Sequence, residues 1–350
     1  MLEGLWGLTR TIDRAGVVKG GQSTRGRGES RGAGRPYNLS VKRILLLPLL
    51  FSAAIAAAQK PEDPPTFADS AGAEYVMLPV LVTDKSGKFA DGLQKQDFQL
   101  KVGETRVDVD TFDRDESAPV SFAFLLDTSG SMGVGNKLEN AKNAIRTIIR
   151  SGRPGDDFAL FAFSEGEVRL VSDFSADPGK LVRALWDLEA SGQTALFDAV
   201  AATPERMMKG RNNKRAILLF TDGVDNASQL SSNEMAELLQ HVSVPVYTIG
   251  MKNRAFDALT EKSRRELSVD TLEMLANSSG GRMHLVSGDE DLRPLATAIA
   301  GEVRQQYLLG FAPSGKGDVK YRIVFVSVAK PGSWIVRTRR GYRGTAPGGS

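Results

Sequence analysis

The sequence of 350 residues contains no cysteine and only two histidines, His241 and His284. The lack of cysteine excludes disulfide bonds, thiolate metal sites, a cysteine nucleophile and a lipid-modified N-terminal cysteine. The two histidines lie far apart in the sequence, so neither an imidazole metal site nor a catalytic triad follows from them, and we expect both to be structural. Any site chemistry must therefore rest mainly on oxygen atoms.

Three common sequence signatures are also missing. The chain has no G-x-x-x-x-G-K-[ST] phosphate-binding loop, and the glycines at 130, 133 and 135 stand in the wrong order for a dinucleotide-binding loop. Ser129 does not lie in the G-x-S-x-G setting of a serine hydrolase. The sequence therefore favours neither a nucleotide-binding protein nor a serine hydrolase.

A short apolar segment lies at residues 41–58, VKRILLLPLLFSAAIAAA. Two basic residues, a short apolar stretch and terminal alanines are typical of a secretory signal peptide, and the stretch is shorter than the roughly 20 residues of a membrane span. We expect cleavage before Gln59 and a periplasmic, extracellular or cell-surface protein of bacterial type; an N-terminal membrane anchor is the alternative. We also expect translation to start at Val41, which would leave residues 1–40 outside the protein.

The basic residues are concentrated before the expected cleavage site. Residues 1–58 hold nine Lys or Arg and three acidic residues, a net charge of +6. Since the whole chain carries +3, the remainder carries about −3. The basic isoelectric point is thus no indication of nucleic-acid binding, and we expect no nucleic-acid partner.

Short β-rich segments flank the central part of the chain. Residues 59–73 are polar and rich in proline, which is typical of a linker, and residues 74–117 predict a small antiparallel β module. Residues 313–343 predict a C-terminal hairpin that could pack with 74–117. The basic stretch RTRRGYR at 337–343 is expected at a solvated strand edge.

The central part alternates apolar strands with amphipathic helices. Helical spacing of apolar residues is found in 136–150 and around Leu181 and Leu292, and the segments 194–209 and 232–241 also resemble helices. The sequence predicts strands at 121–127, 157–163, 215–221, 244–249, 282–286 and 307–311. This alternation predicts an α/β fold for residues 118–312, a doubly wound, mostly parallel sheet flanked by the small β module.

Three polar stretches are expected at the carboxyl ends of the strands, where open α/β folds bind ligands. They contain Asp127, Ser129 and Ser131, then Thr194, then Asp222. Alternate side chains on an extended segment point the same way, so the first three can converge. Two carboxylates and three hydroxyls suit a hard cation, Mg²⁺ first, with Mn²⁺ or Ca²⁺ possible.

The stretches DTSGSM, SGQTALFDAV and LLFTDGVDN resemble the three loops of the metal-ion-dependent adhesion site in von Willebrand factor type A domains, in the same order. The resemblance implies that Ser129 and Ser131 bind the metal directly. It also implies that Thr194, Asp127 and Asp222 bind it directly or through water. A carboxylate from a partner protein would fill the remaining position, and the protein would not be an enzyme.

Other interpretations remain open at this point. The polar residues could form helix caps and turns, as we expect of Asp225 and Asn226. Asp127 could be the nucleophile of a metal-dependent hydrolase, although the second acid usual in such enzymes is replaced by Ser129. The metal could also serve only to stabilise a scaffold. Trp186 is expected in the core, and the oligomeric state is not predicted.

Overall fold

The computed structural model describes residues 67–68, 74–165, 167–231, 234–235, 238, 242–252, 262–287, 292–313 and 320–343. The expected leader and signal peptide, 1–58, lie outside these residues, as do most of the expected linker 59–73, most of the predicted helix 232–241, and His241. Within the described residues, none of the helices combines the length and the apolar character needed to cross a membrane.

The described residues form strands and helices with the following bounds. The strands are β1 (Phe67–Ala68), β2 (Glu74–Asp84), β3 (Phe98–Val102), β4 (Thr105–Val107), β5 (Thr111–Asp113), β6 (Val120–Asp127), β7 (Asp157–Ser164), β8 (Glu167–Ser175), β9 (Lys214–Thr221), β10 (Val246–Lys252), β11 (Met283–Ser287), β12 (Tyr307–Phe311), β13 (Tyr321–Val328), β14 (Trp334–Arg337) and β15 (Gly341–Arg343). The helices are α1 (Lys137–Arg150), α2 (Pro178–Trp186), α3 (Leu196–Met207), α4 (Lys262–Ser279) and α5 (Leu292–Arg304).

The central sheet has six strands in the order β11-β10-β9-β6-β7-β8. All neighbouring pairs are parallel except β7 and β8, which are antiparallel. Every residue of β6 is buried, which explains its continuous apolar run: a parallel strand covered on both faces has no solvent side. The predicted fold class, an α/β fold with a mostly parallel sheet and a flanking β module, is confirmed.

Helices cover both faces of this sheet. Phe122 and Phe124 of β6 point to a core that includes Ile145 of α1, Leu181 of α2 and Ile299 of α5. The alternate residues Ala123 and Leu125 point to the opposite core, with Leu196 of α3 and Leu275 of α4. The two cores follow directly from the alternation of side chains along a strand.

Two strands differ from the sequence prediction. β8 was not predicted, because most of its side chains are exposed or half-buried at the edge of the sheet and leave no apolar run. Residues 307–311 were counted among the strands of the α/β domain, but β12 pairs antiparallel with β2 and β5. An apolar run shows that a strand is buried, not which sheet it joins.

The β module combines segments from before and after the α/β region. β12 and β14 pair with β2, and β13 pairs with β3 and β15. The core of the module contains Leu78, Leu100 and Tyr307. The expected solvated strand edge at 337–343 is wrong for Arg339, which is buried and donates to the Met77 carbonyl at 3.1 Å.

The end of α5 is fixed to the amino end of the central sheet. Arg304 lies at this end and donates two hydrogen bonds to the buried Asp156, with Nη2 2.5 Å from Oδ2 and Nη1 3.2 Å from Oδ1. Lys214, also buried, donates to the Arg304 carbonyl at 2.7 Å.

The expectation that Trp186 lies in the core is wrong. Its side chain is 69% exposed, and the Arg146 guanidinium lies over its ring.

Candidate metal centre

The first loop of the site begins where β6 ends, at Asp127. This side chain is fully buried, and its Oδ1 accepts from the Ser129 amide at 2.8 Å. Ser129 precedes a 3₁₀ turn, yet its side chain makes no capping hydrogen bond. The Ser129 and Ser131 hydroxyl oxygens lie 3.1 Å apart. The D-x-S-x-S spacing thus brings two hydroxyls together just beyond a buried carboxylate.

The second loop lies directly against the first. The Gly130 amide donates to the Gly192 carbonyl at 2.9 Å, and the Ser191 amide donates to the Thr128 carbonyl at 2.8 Å. Gly192 has a φ of +76°, a backbone conformation that favours glycine, and a Cβ there would collide with the side chain of Glu165. Thr194 follows and is 2% exposed.

The third loop follows β9 and is tied to both of the others. The Thr221 hydroxyl donates to Asp127 Oδ2 at 2.6 Å. The Asn226 side chain accepts from the Thr194 amide at 2.8 Å, and the Thr194 carbonyl accepts from the Asn226 amide at 3.0 Å. The three loops predicted to meet at the carboxyl ends of β6 and β9 are therefore joined by hydrogen bonds.

The capping roles can be assigned from these contacts. Asp225 Oδ2 accepts from the Phe197 amide at 3.0 Å in the first turn of α3, and Ser228 Oγ accepts from the same amide. Asp225 and Asn226 therefore cap and bind loop amides, as predicted. Thr194 does not cap α3, because the capping position is Ala195.

The electrostatics of the two carboxylates differ. Burial raises the pKa of Asp127 to about 6; hydrogen bonds from Thr221 and Ser129 oppose this, and the neighbouring Asp222 carboxylate adds to it. Asp222 Oδ2 accepts from the Lys137 ammonium at 3.0 Å. Asp222 Oδ1 is buried and has no hydrogen-bond partner among the described residues.

The unpaired Asp222 oxygen is the observation that tests whether a metal fits. Because an unsatisfied buried carboxylate oxygen is costly, it indicates that a donor or cation belongs there. Both Asp127 oxygens already accept hydrogen bonds, so Asp127 suits a role through water. In the described residues, no three His, Cys, Asp or Glu side chains are grouped so that they could hold a metal ion by themselves, and the hydroxyls are the other donors. An all-oxygen set of this kind fits Mg²⁺.

Lys137 is the residue of this region that the sequence analysis missed. It is the first residue of α1 and only 3% exposed. One signal could have identified it: a lysine at a helix N-terminus opposes the helix dipole and needs a nearby anion.

His284, expected to be structural, lies on β11 and takes no part in these contacts. Its Nε2 is buried without a hydrogen-bond partner in the part of the chain that the structure describes, and burial lowers its pKa to about 4.

Comparisons with known proteins find matches over this region of the chain. A family model described as von Willebrand factor type A domain matches residues 122–224. An uncharacterized protein of Borreliella burgdorferi is 25% identical over 191 residues, 49% of this chain and 55% of its own length. The uncharacterized protein YfbK of Escherichia coli is 26% identical over 160 residues, 42% of this chain and 28% of its own length. This chain therefore matches about half or less of each relative.

Among solved structures, an aerotolerance-related membrane protein from Bacteroides fragilis is similar, with a TM-score of 0.43 and 18% identity. The similarity covers 53% of this chain and 98% of that protein. The family match includes the first two loops of the site and the third as far as residue 224, and so contains Asp127, Thr194 and Asp222. Residues 122–224 thus match the family model of the von Willebrand factor type A domain, within an α/β fold flanked by antiparallel sheets.

Proposed function

We propose that this protein is an exported protein-binding module that depends on a divalent cation. Ser129, Ser131 and Thr194 would supply hydroxyl oxygens, and Asp127 and Asp222 would supply carboxylates, directly or through water. The buried, unpaired Oδ1 of Asp222 is the single observation that carries this proposal. The ion would be Mg²⁺ first, with Mn²⁺ or Ca²⁺ possible.

The donor set also supports a role for a partner's carboxylate. Bound to few charged ligands, the cation would keep an electrophilic position that a carboxylate oxygen could fill. The residues of this chain would hold the cation through neutral hydroxyls and exclude bulk water on the protein side, since Asp127, Ser129 and Thr194 are all buried. We therefore propose a protein partner that presents an acidic residue.

A binding role accounts for Asp127 better than a nucleophilic role. Its carboxylate is fully buried, and each oxygen accepts a hydrogen bond, from the Ser129 amide and from the Thr221 hydroxyl. A nucleophile must reach its substrate, whereas a carboxylate held in this way can orient a water molecule or a hydroxyl. We propose that the protein is not an enzyme.

Export is proposed from the segment 41–58 described above, which would place the module in the periplasm or at the cell surface. There it could meet partners of the envelope. The net charge of about −3 after residue 58 favours neither nucleic acid nor an acidic membrane surface.

The proposal is tested by capture of envelope proteins on the immobilised protein in Mg²⁺ and in EDTA. The wild type should retain a partner only in Mg²⁺, and the Ser129→Ala/Ser131→Ala protein should lose it. Ser86→Ala is the matched control, because Ser86 lies in an exposed turn where its hydroxyl donates to Asp84. Changing the contacting acid of the captured partner to its amide should abolish retention.

Equal recovery of every partner in Mg²⁺ and EDTA would contradict the proposal. If partner recovery is the same in Mg²⁺ and in EDTA but thermal stability depends on Mg²⁺, the protein would instead be a scaffold whose metal only stabilises the fold.

A further inference from the structure

We infer that Lys137 is a positioning residue of this site, one that lowers its affinity for the divalent cation and raises its affinity for a partner's carboxylate. The ammonium holds Asp222 by one oxygen and offsets its charge. The inference rests on the proposed function, from which it takes the cation and the carboxylate.

The geometry places the two charges together and largely out of water. Lys137 Nζ lies 3.0 Å from Asp222 Oδ2, and the two side chains are 4% and 7% exposed. In such surroundings, charge interactions are stronger and less screened by salt than at the surface. Because Lys137 binds Oδ2, the carboxylate is oriented with Oδ1 left unpaired.

The backbone before Lys137 shows that its position is not incidental. Gly135 and Asn136 both adopt left-handed conformations, with φ values of 64° and 60°. This conformation is unfavourable for Asn136, although less so than for most residues. The turn leads into α1 with Lys137 as its first residue, where the helix dipole disfavours a cation. The ion pair with Asp222 offsets both costs.

The charge count gives the direction of the effect. Asp127 and Asp222 carry two negative charges, and Lys137 reduces the total from −2 to −1. A bound divalent cation then leaves the site at +1, whereas without Lys137 it would be neutral. A positive site still attracts an incoming carboxylate, while a more negative empty site binds the cation more tightly. Removing the ammonium should therefore shift the two affinities in opposite directions, which a merely structural residue would not do.

Mn²⁺ alone is the first probe, titrated into the full-length protein while free Mn²⁺ is followed by electron paramagnetic resonance. Lys137→Met should bind Mn²⁺ at least about tenfold more tightly than the wild type, a change equivalent to one pKa unit of interaction. The matched control is Lys142→Met. Lys142 is also buried on α1, but donates to Glu139 and to the Leu188 carbonyl, both at 2.7 Å. The Mn²⁺ affinity of the Lys142→Met protein should stay within about twofold of the wild-type value.

Acetate is the second probe, since a carboxylate that displaces water from bound Mn²⁺ lowers the relaxation rate of water protons. Lys137→Met should need several-fold more acetate than the wild type for the same decrease in relaxation rate. Lys142→Met and the charge-retaining Lys137→Arg should need the same acetate concentration as the wild type. If Lys137→Met does not fold, Lys137→Gln removes the charge but keeps a hydrogen-bond donor, and the same two shifts are expected.

Equal or weaker Mn²⁺ binding by the neutral variants would overturn the inference, as would a loss of Mn²⁺ and acetate affinity together. Absence of Mn²⁺ binding by the wild type would overturn the proposed function, and the inference with it. The two failures are therefore distinguishable.

Discussion

The two ends of strand β6 each bury carboxylates, but they use them differently. At the amino end, Asp156 and Asp157 accept hydrogen bonds at every oxygen. At the carboxyl end, Asp127 accepts at both oxygens, but Asp222 keeps one buried oxygen without a partner among the described residues. Among the described residues, the acids at the amino end have hydrogen bonds at all of their oxygens, and those at the carboxyl end do not.

The pKa shifts show the same contrast. Burial would raise the pKa of Asp156, but the Arg304 guanidinium and the amides of Arg153 and Val120 outweigh it, so that the pKa is lowered. For Asp127 burial prevails, and the pKa is raised to about 6. The Arg304 guanidinium thus offsets the burial of Asp156, whereas the neighbouring Asp222 carboxylate adds to the effect of burial on Asp127.

The largest effect is expected at the amino end. Arg304→Met would leave Asp156 charged, buried and without its ion pair, and should lower the free energy of unfolding by about 3 to 5 kcal/mol. Urea unfolding measures this. Arg183→Met is the control, because that guanidinium is 74% exposed and lies 3.9 Å from Asp177, and it should change stability by less than about 1 kcal/mol. A similar loss of unfolding free energy in both variants would show that the buried ion pair at the amino end has no special structural role.

A second prediction concerns the independence of the two ends, which lie about 23 Å apart along β6. Mg²⁺ at 100 times its dissociation constant should raise the free energy of unfolding by about 2.7 kcal/mol. The increment should be the same in the wild type and in Arg304→Met, since distant sites contribute additively. Increments that differ by more than about 0.5 kcal/mol would show that the two ends are coupled.

A smaller effect is expected from His284, whose buried Nε2 lies outside the site and has no hydrogen-bond partner among the residues described. Its pKa is about 4 in the folded protein and 6.5 as a free side chain. Between these two pH values only the unfolded state takes up the proton. The contribution of His284 to the free energy of unfolding is therefore fully present above pH 6.5 and is lost as the pH falls towards 4. Between pH 7 and 5 the wild type should lose about 1 to 2 kcal/mol more than His284→Gln.

Mn²⁺ affinity at pH 7 provides the second readout for His284→Gln. The Mn²⁺ affinity should be unchanged, because the unpaired nitrogen of His284 lies outside the three loops that would bind the metal. A tighter or weaker Mn²⁺ affinity would show that a residue outside the three loops affects metal binding.

The central strands and the three loops could be predicted from the sequence because their signals are local. A strand such as β6, buried on both faces, must be apolar throughout, and D-x-S-x-S follows it directly. The edge strand β8 and the sheet to which β12 belongs could not be predicted, because exposure and strand pairing depend on tertiary contacts. The position of Lys137 at a helix N-terminus indicates that it needs an anion, but its partner, Asp222, lies 85 residues further along the chain and could not be predicted.

The most direct test of the account is Mn²⁺ binding to Ser129→Ala/Ser131→Ala, measured by calorimetry together with urea unfolding in EDTA. The double change removes both partners of one hydrogen bond, so it should leave no unpaired hydroxyl and cost less than about 1 kcal/mol of stability. The wild type should bind one Mn²⁺ per chain, and the variant should lose at least about tenfold in affinity. Unchanged affinity in a folded variant, or a large loss of stability with affinity retained, would contradict the assignment of these serines as metal ligands.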